Sequence, residues 1–306
     1  MREIVGTDEL MQVCKALSAP LRVQILRCIL EHGSMNLNAL AEALGVTNGA
    51  MTAHIKLLSA AGLVSIENRN GRHGVQKVCR VGETRLMLNL LPARTLHNAY
   101  ETEIPIGSYT DCQAYPTCGL ATREHIIGQM DDPRYFDDPE RYQAGILWMM
   151  EGTISYRVPN YLRMDERLLE IQIIQELSSE APGSCEDWPS DIHFSINDVP
   201  LGYWTSPGDF GSKRGIYTPQ WWYTGLNQYG LLKTLTVNAQ GAFIDGQRIG
   251  EATLDRLNIQ PGLPLVYRLS VNRQDRSTGG MTLFGTGFGN YSQDIRVRLV
   301  YEKSRL

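Results

Sequence analysis

Thr47–Val64, TNGAMTAHIKLLSAAGLV, reads as a capped helix followed by a turn into a strand. Thr47 is an N-cap residue, and Ala50, Met51, Ile55, Leu58 and Ala61 recur at helical spacing, which predicts one inward face. Asn48, Gly49, Thr52, Ala53 and Lys56 then point outward. Small and amide side chains at a helix start suit a DNA major groove, because bulk there would hold the backbone off the base edges.

Working outward, Ala19–His32, APLRVQILRCILEH, predicts an amphipathic helix with Pro20 in its first turn, and Leu37–Leu44, LNALAEAL, a second helix ended by Gly45. A turn of about three residues before Thr47 gives helix-turn-helix spacing. Downstream, Leu63–Glu67 and Gln76–Val81 alternate like the strands of a hairpin. Its tip, Asn68–Gly74, carries an Asn-Gly turn signal with Arg69, Arg72 and His73, the makings of a basic wing.

Taken together, the APLRVQIL helix, the LAEALGVTNGAMTAHIKLLSAAGLV core and the wing resemble the winged-helix regulators of the ArsR type, over roughly residues 5 to 92. The resemblance implies a homodimer on a palindromic double-stranded operator, with Asp8–Leu17 and Glu83–Leu91 as dimerisation helices. Metal sensors of that family carry cysteines where this chain reads Met35–Ala41, MNLNALA. The metal-sensing site of the family is therefore not expected here.

Charge divides the chain in the same way. Residues 1–100 hold 11 Lys and Arg against 7 Asp and Glu, and the remaining residues hold 18 against 26. Lys56, Arg69, Arg72, Lys77 and Arg80 surround the recognition region with one acid, Glu67, a set suited to phosphate contacts. The expected DNA-binding residues are Thr47, Asn48, Gly49, Thr52, Ala53, Lys56, Arg69, Arg72 and Lys77.

Length gives room for two domains: a winged helix over 1–92, a linker over 93–105 where prolines flank an acidic polar run, and a β-rich domain over 106–306. The fold class expected is α+β multidomain. Short runs rich in Val, Ile, Leu and Tyr, at Glu170–Leu177, Ile192–Ile196, Thr234–Val237, Val266–Val271 and Ile295–Tyr301, point to a mainly-β sandwich or jelly roll. A helix is expected from Arg141 to Trp148, and Gly279–Gly289 reads as a turn within a hairpin. No apolar run approaches the roughly 20 residues of a membrane span, and the first residues lack a signal-peptide core. The expected setting is cytoplasmic.

Leu201–Lys233 holds eight aromatic residues among glycines and prolines. Flat apolar faces beside hydrogen-bonding tips suit a small polar effector, with sugars the first class to consider. The expected effector residues are Trp204, Asp209, Arg214, Tyr217, Trp221, Trp222 and Gln228; Trp221 and Trp222, if on a strand, would face opposite ways. Six scattered cysteines do not form a secreted disulfide scaffold. Cys112 and Cys118, six apart around Pro116, leave a thiol or metal response open as an alternative, although packing is the commoner role. Among Glu151, Glu180, Glu186, Asp187 and Asp209 no spacing singles out an acid pair, so neither a catalytic site nor a cofactor is expected; an enzyme fused to a winged helix is the remaining alternative.

Overall fold

The computed structural model describes residues 2–4, 7–71, 74–82, 86–88 and 98–303, which fall into two units, Met1–Leu96 and His97–Leu306. The N-terminal unit holds α1 (Thr7–Leu17), α2 (Pro20–His32), α3 (Leu37–Ala43) and α4 (Asn48–Ala60). With them are β1 (Arg2–Ile4), β2 (Met35–Asn36), β3 (Val64–Gly71), β4 (Gly74–Val81) and β5 (Leu86–Leu88). Pro20 opens α2, where its missing N–H costs nothing, and Gly33 ends it at φ 71°. Arg22 turns back from α2 to α1, donating to the carbonyls of Ala16 and Lys15. A cation thus satisfies carbonyls that the end of α1 leaves open. Ile25, Ile29, Leu40, Met51, Ile55 and Leu58 close one core between the helices.

After α3, Gly45 at φ 65° turns the chain, and the Val46 N–H returns to the Ala41 carbonyl at 2.9 Å. This fixes the angle at which α4 leaves. Strands β3 and β4 pair antiparallel from Val64↔Val81 to Gly71↔Gly74, a longer hairpin than the sequence pattern marks, and β2 adds to the edge of β4. The helix expected over Glu83–Leu91 is not what the described part shows: Leu86–Leu88 is a strand, parallel to β1. Three apolar residues in a row fit a strand or a helix equally by pattern, and pairing with β1 decides it.

The second unit is built from twelve strands in one continuously hydrogen-bonded antiparallel sheet folded over on itself. These are β6 (Asn98–Ile104), β7 (Asp111–Ala121), β8 (Ile146–Val158), β9 (Glu166–Ser178), β10 (Ser190–Ile196), β11 (Val199–Ser206), β12 (Leu231–Asn238), β13 (Gly241–Ile244), β14 (Gln247–Gly250), β15 (Leu265–Val271), β16 (Met281–Phe284) and β17 (Ile295–Lys303). One half runs β7-β8-β15-β10-β11, the other β6-β17-β9-β12-β13-β14, and β16 joins them by pairing with both β8 and β9. On β15, Leu265, Tyr267, Leu269 and Val271 are buried and the residues between them are not, the alternation of a strand with one covered face. Tyr267 reaches the other half, where its hydroxyl accepts from the Gln175 amide on β9. The unit is a mainly-β sandwich, and the protein an α+β molecule of two units.

Three expectations fail here, each for a physical reason. Residues 98–104, assigned to a linker, form edge strand β6; its acids pair with β17, Glu101 with Arg298 at 3.1 Å and Glu103 with Arg296 at 3.5 Å. Charge on an edge strand guards it against further pairing, and in sequence it looks like a solvated connector. The helix expected from Arg141 to Trp148 is a short 3-10 turn, Pro139–Gln143, followed by β8. The run Ile146–Met149 is apolar on both faces because Leu147 and Met149 enter the main core while Ile146 and Trp148 join a second cluster with Trp222, Phe284 and Phe288. Within Gly279–Gly289, Met281–Phe284 is likewise a fully buried strand rather than a turn.

Candidate nucleic-acid interface and ligand pocket

The Thr47 hydroxyl accepts from the Ala50 N–H at 3.3 Å and so caps α4. Met51, Ile55 and Leu58 go into the core, Ala61 is buried just beyond, and Asn48, Gly49, Thr52, Ala53 and Lys56 are exposed. Ala50, expected inside, is exposed with them, since it lies about 100° round the helix from Met51 and so off the buried face. Thr52 spends its proton within the helix, on the Asn48 carbonyl at 2.7 Å. Its methyl and an acceptor lone pair remain to offer. On the wing Lys77 and Arg80 are exposed, with Arg80 4.0 Å from Glu67. Arg72 lies outside the described residues, as does the side chain of Arg69.

In the sandwich, the expected effector residues do not converge. Trp204 packs on the core from β11 with the Lys233 ammonium 4.7 Å from its ring centre. Arg214 is spent inside its own loop, on the carbonyls of Pro219 and Trp222. Tyr217 is exposed. Gln228 is buried, its amide donating to the Tyr223 carbonyl at 2.7 Å. Trp221 is half-buried and donates to the Arg123 carbonyl at 2.6 Å. Residues 215 to 230 are irregular, so the strand rule that would send Trp221 and Trp222 to opposite faces does not apply. Trp222 is at once core and wall: 1% exposed, set edge-to-face on Trp148, Trp221 and Phe288 at 5.4–5.6 Å, it also borders a cavity.

That cavity, about 260 Å³, is lined by Thr117, Met130, Asp131, Trp148, Glu180, Pro182, Gly183, Trp222, Leu226 and Asn227. Trp148 lies flat against its cross-strand partner Gly119, where a Cβ would come 2.4 Å from the indole. Glu180, just past the end of β9, is 5% exposed. One carboxylate oxygen accepts from Thr117 at 3.2 Å; the other accepts from Asn227 at 2.9 Å and Thr282 at 3.1 Å. Burial, and then the charge of Asp209, hold the Glu180 carboxyl well above the usual carboxylate range. Asp209 sits behind the pocket rather than in it. It is fully buried, accepts from the Ala181 N–H at 3.2 Å, leaves its other oxygen without a partner among the described residues, and is pushed up by burial to about 7. Asp131 accepts from the Cys118 N–H at 2.9 Å. Sequence reasoning placed Glu180 among five undistinguished acids and missed Thr117, Asp131 and Trp148.

Cys118 is buried and Cys112 half-buried on β7; burial pushes the Cys118 thiol up to about 12 and raises that of Cys112 as well. Both are poorer sources of thiolate than a free cysteine. Among the described residues no group of three His, Cys, Asp or Glu side chains is arranged to hold a metal ion. No helix among them is long and apolar enough to cross a membrane.

A capped helix with an exposed polar face, set after a Gly-turned helix and before a hairpin wing, defines a winged helix-turn-helix DNA-binding unit. Residues 17–67 match the helix-turn-helix domain family, and the N-terminal unit is a DNA-binding unit of the transcriptional-regulator type. Among solved structures the chain is similar to a possible transcriptional regulatory protein from Mycobacterium bovis, at 31% identity over 24% of this chain and 74% of that one, with a TM-score of 0.22. It is similar to an ArsR family transcriptional regulator at 22% identity over 25% and 74%, TM-score 0.22. It is also similar to the CBM36-1 domain of a multidomain xylanase from the hindgut metagenome of Trinervitermes trinervoides, at 8% identity over 68% and 100%, TM-score 0.28. These scores are too low to bear on fold or ligand. No curated protein matches the chain.

Proposed function

We propose that this protein is a one-component cytoplasmic repressor, active as a homodimer, in which a small polar ligand held by the sandwich controls operator binding. The exposed face of α4, Thr47, Asn48, Gly49, Thr52, Ala53 and Lys56, enters a major groove; the Thr52 methyl and lone pair meet base edges, and Lys56, Lys77, Arg69 and Arg72 meet phosphates. The observation that carries this reading is the capped start of α4, with small and polar residues exposed on one side and Met51, Ile55 and Leu58 buried on the other.

The effector site is the cavity walled by Trp148 and Trp222, a concave site with few polar groups and a perturbed acid, as ligand sites commonly are. Control follows from linkage: a ligand that prefers the arrangement of the dimer unable to bind DNA releases the operator. A hundredfold change in operator affinity requires about 2.7 kcal/mol of such preference. A sugar is the class that the aromatic segment Leu201–Lys233 suggests. The test is operator selection from random duplex DNA, then titration of the selected duplex with and without candidate ligands. Failure to enrich any sequence would overturn the regulator reading at its root.

A further inference from the structure

We infer that the pocket of Trp148, Trp222 and Glu180 takes a small organic cation, an amine or quaternary ammonium ion, in preference to a neutral sugar. The inference rests on the proposed reading only in taking this cavity as the ligand site.

Charge is the first ground. The lining includes two acids, Glu180 and Asp131, and no Lys, Arg or His. The groups that hold the Glu180 carboxylate, Thr117, Asn227 and Thr282, are neutral, so they orient its charge without cancelling it. The titratable groups around it, Asp209 behind it, Asp131 beyond β7 and the Cys118 thiol on β7, add no positive charge either. A carboxyl buried in this way keeps its proton until a counter-charge arrives, and with no cation in the lining a ligand is the group to bring one.

The walls are the second ground. Indole is the aromatic ring that best attracts a cation within about 6 Å of its centre, and two indoles line this one cavity. Size is the third: about 260 Å³ falls just below the roughly 300–1,000 Å³ of ordinary ligand cavities, which favours an ion of few heavy atoms.

The experiment is calorimetric titration of the full-length chain with tetramethylammonium, ethanolamine and xylose at pH 5.5, 7 and 8.5. Tetramethylammonium has no titratable proton, so any pH dependence of its binding belongs to the protein. A cation binds the ionised form of Glu180, and its affinity should rise at least tenfold from pH 5.5 to 8.5. Glu180→Gln, which keeps the shape and removes the charge, should weaken cation binding at least tenfold; Asp131→Asn should weaken it less. Should Glu180→Gln fail to fold, the wild-type pH series and Asp131→Asn decide the matter. Xylose binding without either cation, cation affinity that survives Glu180→Gln or falls with rising pH, or binding of none of the three overturns the inference. Operator titrations separate it from the proposed function. Cation binding that leaves operator affinity unchanged contradicts the regulation and upholds the ligand class, whereas operator release by xylose alone does the reverse.

Discussion

On α4 the groups that matter lie within one stretch from Thr47 to Lys56, stand in solvent, and are neutral or basic; in the sandwich pocket they come from positions as far apart as 117 and 227, the two tryptophans, Glu180 and Asn227 are buried, and the charged ones are acids. The difference follows from what each must meet. A surface that docks on DNA faces water until it binds, so its cations cost little stability and act through counterion release. A pocket for a small ligand has to be dry and shaped beforehand, and its charge is held at the expense of folding until the ligand arrives. Substitutions in the first region should therefore change binding and spare stability. In the second they should change both.

Trp222→Ala puts that contrast under the heaviest strain. Removing an indole packed on Trp148, Trp221 and Phe288 should cost about 3–5 kcal/mol, read as an earlier thermal or denaturant transition, while a melt of α4 and its neighbours stays in place. Loss of operator binding in proportion to stability would mean that the two regions fold as one.

Asp209→Asn isolates the cost of buried charge. The folded carboxyl ionises at about 7, against 3.8 for the ordinary group, so the folded state keeps a proton that the unfolded chain has released. This contribution is fully present below pH 3.8 and is lost as pH rises to 7, in all about 4 kcal/mol. Denaturant curves of the variant and the wild type should converge near pH 4 and separate by pH 7, the variant becoming relatively more stable. Part of the upward shift of Glu180 should disappear with the Asp209 charge. Parallel pH profiles would contradict the account.

Smaller effects belong to the first region and its cap. Thr47→Ala removes the bond to the Ala50 N–H and should cost about 1 kcal/mol of stability. Lys77→Ala should leave stability within about 0.5 kcal/mol and lower the slope of log affinity against log salt by roughly one, for any duplex. A change confined to one operator sequence would move Lys77 from phosphate to base contact.

What the sequence made legible follows the same division. Met51, Ile55 and Leu58 mark the buried side of α4 by spacing alone, because a helix presents its period in consecutive residues; Ala50 misled because a methyl group is compatible with either face. The sandwich showed in its alternating strands, yet β6 passed for a linker because the charges of Glu101 and Glu103 look the same in solvent as across from Arg298 and Arg296. The pocket was hardly legible. Glu180 has no local signal that separates it from Glu151 or Glu186; its partners Thr117, Asn227 and Thr282 come from two strands and a loop that only the folded sandwich brings to it. The aromatic segment did point to Trp222, although its other members are spent on loop and core contacts.

The most direct test of the central claim is the binding of Thr52→Glu to the selected operator, followed by fluorescence anisotropy at two salt concentrations. Thr52 is exposed on α4 and its hydroxyl donates to the Asn48 carbonyl one turn back, so the variant should keep its fold. A carboxylate there faces the phosphates and removes the base-edge contact, and specific affinity should fall at least a hundredfold with an unchanged melt. Wild-type affinity in Thr52→Glu would contradict the assignment of α4 as the recognition helix.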